Sequence, residues 1–88
     1  MHTDEYEISI QREMILCRKF IKRLGKAISS RERQYGMKTE AILPILEQGL
    51  PADQNRDFLT WRDDHLELQI WQERLKDYED ALKMVKET

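Results

Sequence analysis

Two heptad-patterned segments, separated by about twenty residues in which the pattern breaks, constrain this chain more than any other feature. In the first, Ile10, Met14, Cys17, Ile21, Leu24 and Ile28 recur at alternating steps of four and three, and Arg31 and Tyr35 continue the register. Such steps place side chains along one stripe of an α-helix, so the segment reads as a helix with an apolar seam. Leu16 and Phe20 widen that seam, as happens where a helix meets two neighbours. Thr3 with Asp4 and Glu5 supplies a cap and an acidic first turn, Arg31 and Arg33 suit the negative end of the helix dipole, and Gly36 stops the helix. A helix over about residues 4–35 would be roughly 48 Å long at about 1.5 Å per residue.

The last segment repeats the pattern. Trp61, Leu68, Leu75 and Leu82 fall every seven residues, with Trp71, Tyr78 and Val85 on the companion row, which predicts a second long helix over about 55–86. Phe58, Leu59, Leu66 and Ile70 thicken its apolar face in the N-terminal half, beside the connecting segment. Asp64 occupies a companion-row position where an apolar residue is expected, so either the seam rotates there or the carboxylate has a polar partner.

Between the two, Thr39 and Glu40 open a short helix, about 39–48, which Gly49 ends before a Leu50-Pro51-Ala52-Asp53 loop. Pro44 complicates it. With Thr39 as the cap, the proline falls just past the first turn and removes a hydrogen bond; with a start nearer Leu43, it takes the favourable first position. A short, irregular helix is expected.

Two helices of similar length joined by so short a connection lie most simply antiparallel. The expected fold is therefore all-α: a coiled-coil-like helical hairpin with a short helical connection, in a single domain. Charge agrees with this pairing. Residues 1–35 carry a net +3, residues 36–56 a net −1 and residues 57–88 a net −4. Exposed opposite charges favour neighbours only weakly, each pair contributing about 0–1 kcal/mol. An 88-residue hairpin buries a modest core and leaves one side of each seam wet. A homo-oligomer, with a dimer forming a four-helix bundle favoured, or a different protein chain is expected to cover it.

Composition narrows the function classes. Fifteen basic against seventeen acidic residues give no overall pull toward nucleic acid or an anionic membrane. The longest apolar runs, Ala41 to Leu46 and Met14 to Cys17, fall far short of the roughly 20 residues that span a bilayer. A lone cysteine forms no internal disulfide, and no basic-then-apolar leader is present, so a cytoplasmic setting is expected.

Candidate sites follow from clustering. Arg18, Lys19, Lys22, Arg23 and Lys26 form the densest charge group; they could lie on nucleic-acid phosphates, or they are the solvated face of an amphipathic helix partly facing the acidic last helix. Asp63, Asp64, His65 and Glu67 hint at metal or acid–base chemistry, yet the Glu-x-x-His pairs of helical-bundle metal sites are missing, and an ordinary helix surface is the simpler reading. Cys17 sits in the seam, where a thiol is buried and inert rather than nucleophilic. No phosphate-cradling glycine loop, nucleophile elbow or zinc spacing occurs, so no cofactor and no catalysis are expected.

Tyr35-Gly36-Met37, Thr39-Glu40, Gly49, and Asp57-Phe58 with Trp61 ahead of a Leu-rich closing helix together resemble a group of short helical prokaryotic proteins. Their middle reads approximately Y-G-M-S-x-E-E-F, an acidic G-x-L-G-D loop, then D-F-x-E-W and a helix ending in R-L-x-x-x-L. The similarity covers about residues 32–85, and this chain departs from it at Pro44 and at Leu50 to Asp53. Some members pair with a toxin gene as its antitoxin, so the resemblance implies a protein-binding role and supplies no catalytic residue. The expectation is a non-enzymatic protein–protein interaction module, for which the resemblance implies an antitoxin-like role, assembling through Ile21, Leu24, Ile28, Leu68, Trp71, Leu75 and Tyr78. The alternative is nucleic-acid binding through the basic face of the first helix.

Overall fold

The first heptad segment closes into helix α1, Glu5–Tyr35, with Glu5 and Glu7 in its first turn and Arg33 in its last. The second becomes helix α3, Arg56–Glu87, and a nine-residue helix α2, Thr39–Glu47, stands between them. The computed structural model describes residues 5–48 and 56–87. The expected Thr3 cap, Asp4, Gly49 and the Leu50 to Asp53 loop lie outside the described residues. Long helices α1 and α3 pack along each other, and α2 packs on α3, which is the expected all-helical hairpin. Its extents are 59 × 20 × 20 Å and its radius of gyration is 17.5 Å, against about 12 Å for a compact domain of this size.

Gly36 ends α1 as its position suggested. It adopts φ +63, the left-handed conformation that costs a residue without Cβ least. The next amide, Met37 N–H, donates to the Glu32 carbonyl at 3.2 Å, the six-to-one bond of a Schellman closure. Two residues later α2 begins, and its cap differs from expectation. Lys38, extended at φ −81 and ψ 150, occupies the N-cap without a side-chain bond; Thr39 is the first helical residue because its hydroxyl is committed elsewhere. Pro44 lies inside this helix. It is therefore not at the first position, and since proline has no N–H, the carbonyl of Glu40 loses its intrahelical donor. The irregularity shows at the ends: Lys38 carbonyl accepts from both Ala41 and Ile42, and Gln48 N–H reaches back only three residues to Ile45 at 3.2 Å.

The core has two parts. Along the seam α1 buries Ile10, Met14, Cys17, Leu24 and Ile28. At the hairpin's closed end, Ile28, Ile42, Leu46 and Trp61 form one buried cluster, with Met37, Phe58 and Leu68 against it. Every helix contributes to this second part. Helix α3 is far less covered: Trp61 is its one buried residue among those described, while Leu68, Trp71, Leu75, Tyr78 and Leu82 stay half-buried.

Asp64 sits half-buried within that partly covered seam. Burial pushes its carboxyl above the usual range, with Glu67 and Asp63 adding to the effect and Arg31 and Arg23 opposing it. The seam does not rotate to free it, and no ion pair among the described residues closes on it. An acid whose folded pKa is raised destabilises the fold as pH rises through that range, because the folded state must then hold an unfavourable charge. Asp64→Leu restores the heptad and removes that charge. Thermal melts at pH 7 are expected to rise by several degrees, about 4–8 °C per kcal/mol for a domain of this size, and an unchanged or lowered midpoint would show that Arg31 and Arg23 already compensate the carboxylate.

Candidate functional site

At the closed end one hydrogen-bond relay joins all three helices. Trp61 of α3 is fully buried, and its indole Nε1–H donates to the Thr39 hydroxyl at 2.9 Å. Thr39 in turn donates from Oγ1 to Glu32 Oε2 at 2.9 Å, and its backbone N–H reaches the same oxygen at 2.9 Å. A hydroxyl both accepts from an indole and donates to a carboxylate, so threonine suits this place. Glu32 thus caps α2 from another helix. The two Thr39 donors hold its carboxyl below the usual range, Lys38 assisting and burial opposing.

A second cluster flanks the relay. Tyr35 donates its phenol to Asp57 Oδ2 at 2.6 Å, and Arg31 pairs with that carboxylate oxygen at 3.2 Å. The ring of Tyr35 lies 4.8 Å from Phe58 and 6.1 Å from Trp61. The Asp57 bond, then burial, raises the Tyr35 pKa. Tyr35, Thr39, Asp57, Phe58 and Trp61, five residues of the central motif, therefore meet in one place, each with a bonding or packing task. Sequence reading missed the relay itself. Glu32 lies seven residues before Thr39, a spacing that matches no local capping box, and only the turn at Gly36 brings the two together.

Midway along the hairpin, Phe20 of α1 stacks on Trp71 of α3 with centroids 4.7 Å apart. Arg23 lies over the Phe20 ring and Arg74 over the Trp71 ring, each 4.9 Å from its centroid. Trp71 Nε1–H donates to Glu67 one turn earlier at 3.3 Å. Beside this stack Leu16 is 43% exposed and Ile70 48% exposed. A shallow depression lined by Tyr6, Ser9, Ile10, Glu13, Asp77, Tyr78 and Ala81 continues the surface toward the open end.

The expected assembly residues divide. Leu24 and Ile28 are buried within the chain; Ile21, Leu68, Trp71, Leu75 and Tyr78 are half-buried. Arg18, Lys19, Lys22, Arg23 and Lys26 are all exposed, and Arg12 and Arg33 extend them into a basic face about 32 Å long at about 1.5 Å per residue. The two acids of α1 within that span turn elsewhere, Glu32 to Thr39 and Glu13 to the depression beside Tyr78. His65 meets Gln69 at 3.3 Å. Among the described residues no group of three His, Cys, Asp or Glu side chains gathers where it could hold a metal, and no helix is long and apolar enough to cross a membrane. Cys17 is fully buried; burial, with Glu13, raises its pKa against Arg74 and Arg18, which lowers the thiolate fraction that nucleophilic chemistry needs. No family model, curated protein or solved structure matches this chain.

The relay predicts a specific acid sensitivity. A carboxylate with a lowered folded pKa adds stability that is complete above its unfolded value, near 4.5, and is lost as pH falls through the folded value. Glu32→Gln is expected to flatten the loss of urea stability between pH 6 and 3 relative to the parent chain. Thr39→Val, which strands the Trp61 N–H, should cost about 1–3 kcal/mol at pH 7, whereas Thr39→Ser should cost less; equal losses for the valine and serine variants would mean that the relay contributes nothing beyond packing.

Proposed function

We propose that this chain is a non-enzymatic protein–protein interaction module. One observation carries the reading: α1 cannot cover α3, so Leu68, Trp71, Leu75, Tyr78 and Leu82 remain half-exposed beside the exposed Leu16 and Ile70. The accessible surface is 6864 Å², against about 5,500 Å² for a compact monomer of this mass. The exposed Leu16 and Ile70 beside this half-covered row support the reading of a surface that a partner covers. The Phe20–Trp71 stack with Arg23 and Arg74 on its faces supplies the side-chain types that anchor interfaces. The antitoxin-like resemblance of the central motif gives the module a biological form, in which it neutralises a toxin protein by covering that protein's active surface.

Leu16 and Ile70 are exposed enough to change without disturbing the seam. The full chain is expected to sediment as more than a monomer at micromolar concentration. Leu16→Glu with Ile70→Glu should raise the dissociation constant at least tenfold while leaving the helical circular dichroism signal intact, since each charge would have to be buried unpaired. Equal association of parent and double variant would place the covered surface elsewhere.

The segregated basic face of α1 favours a second reading, nucleic-acid binding through Arg18, Lys22 and Lys26. Phosphate contacts release counterions, so affinity for duplex DNA or RNA would fall steeply with salt, about one log unit of slope per neutralised phosphate. Fluorescence anisotropy between 50 and 200 mM salt, roughly the range over which such binding falls by orders of magnitude, checks this. Affinity that is steeply salt-dependent and vanishes in the triple alanine variant supports the second reading, and salt-independent or undetectable binding removes it.

A further inference from the structure

The antiparallel pairing of α1 and α3 fixes which residues share a height along the hairpin. Phe20 meets Trp71 and Tyr35 meets Asp57, so paired residue numbers total 91 or 92. On the outer edge of α1, Arg12, Lys19 and Lys26 recur every seven residues; on the outer edge of α3, Leu66, Glu73 and Asp80 do the same, and all six are exposed. These rows stand at equal heights. Arg12 is level with Asp80, Lys19 with Glu73 and Lys26 with Leu66, yet within one chain they point away from each other and stay apart.

The hairpin has two broad sides. Phe58 packs toward the cluster that α2 completes, and Trp71, thirteen residues later, lies roughly 220° further around α3 at about 100° per residue. Helix α2 therefore covers one side, and the Phe20–Trp71 stack with Leu16 opens on the other. Along α1 that open side measures about 45 Å by 20 Å, on the order of 900 Å², close to the roughly 800 Å² that each partner contributes to a standard interface.

We propose that a second copy of this chain covers the Phe20–Trp71 side, with α1 of each copy lying antiparallel over α3 of the other and the twofold axis running along the helices. The inference rests on the interaction-module reading and specifies its partner. Two twofold arrangements can stack these sides. An axis across the helices sets α1 on α1 and brings the rows of Arg12, Lys19 and Lys26 against one another, with Glu73 and Asp80 against their own counterparts. An axis along the helices preserves height, so each basic row flanks the acidic row of the other copy in matching register. Like charges in close apposition cost stability and opposite charges set partner and orientation, as at the edge positions of coiled coils. The charge pattern thus selects the arrangement with α1 over α3 of the other copy.

Single-cysteine chains test this in a Cys17→Ala background, with Cys17→Val as a second background should the first melt below the parent. Leu16→Cys and Arg74→Cys, nearly level on the open side, are mixed under mild oxidation, one of the two carrying a mass tag. The expected result is a disulfide between unlike chains, with little between like chains. A dimer in sedimentation that gives no unlike-chain disulfide, or that links mainly through Leu16→Cys alone, overturns the arrangement and leaves the interaction-module reading standing. A chain that stays monomeric overturns the inference and self-association together. As a measurement on exposed positions that do not enter the seam, Lys19→Glu should weaken the dimer several-fold, and mixing it with Glu73→Lys should restore association; no rescue also overturns the arrangement.

Discussion

The Trp61 to Thr39 to Glu32 relay is the constraint on which the closed end of this molecule depends. It meets three requirements with three side chains: a buried indole N–H needs an acceptor, the first turn of α2 needs its exposed donors satisfied, and the carboxylate of Glu32 needs donors to offset its partial burial. No one of these bonds is unusual in strength. Their arrangement in series makes each conditional on the others, since Thr39 can donate to Glu32 and accept from Trp61 only when all three helices are in place. Gly36 makes this geometry reachable. Its positive φ turns the chain within the three residues that separate the end of α1 from the start of α2, and without that turn Glu32 could not reach the amide of Thr39.

Away from the closed end the molecule is held by a single seam, and the seam is unequal. Helix α1 presents a stripe formed by Ile10, Met14, Cys17, Leu24 and Ile28 that is well covered, with Cys17 buried entirely. Helix α3 presents a broader face with Trp71, Tyr78 and the flanking Ile70, wider than one helix can shield. The Phe20–Trp71 stack fills part of that width, and Arg23 and Arg74 lay their planar groups over the outer ring faces. Stacked guanidinium groups shield an aromatic surface while keeping their own charge hydrated. They cover the rings more loosely than a packed helix would.

Much of this was legible in the sequence because its causes are local or periodic. The heptads gave both long helices, opposite net charges gave their pairing, and Gly36 gave the stop. Asp64 was visible as a misfit in its heptad, and its raised carboxyl pKa is the physical expression of that misfit. The role of Thr39 was not legible. Its type and position suit a local cap, and the hydroxyl instead bridges two residues from other helices, a long-range contact that no spacing rule encodes. The arginine-covered stack was hidden for the same reason: Phe20 and Trp71 each read as seam residues, and their meeting requires the register between α1 and α3 that the closed end sets. The basic cluster was plain in sequence, whereas the turning away of Glu13 and Glu32 became visible only in the structure.

Charge segregation by helix gives the chain a single rule for both levels of organisation. Within the hairpin, α1 with its net positive charge lies beside α3 with its net negative charge. In the proposed assembly each helix would gain a second neighbour of the opposite sign, so that all four interhelical edges repeat one relation. A chain that mixed its charges evenly along both helices could form the same hairpin, because the apolar seam supplies most of the pairing energy. It would then have no electrostatic means of distinguishing α1 over α3 from α1 over α1 in a second copy. In the proposed assembly the segregation would bear more on how copies are told apart than on how one chain folds, since individual ion pairs at exposed positions contribute little.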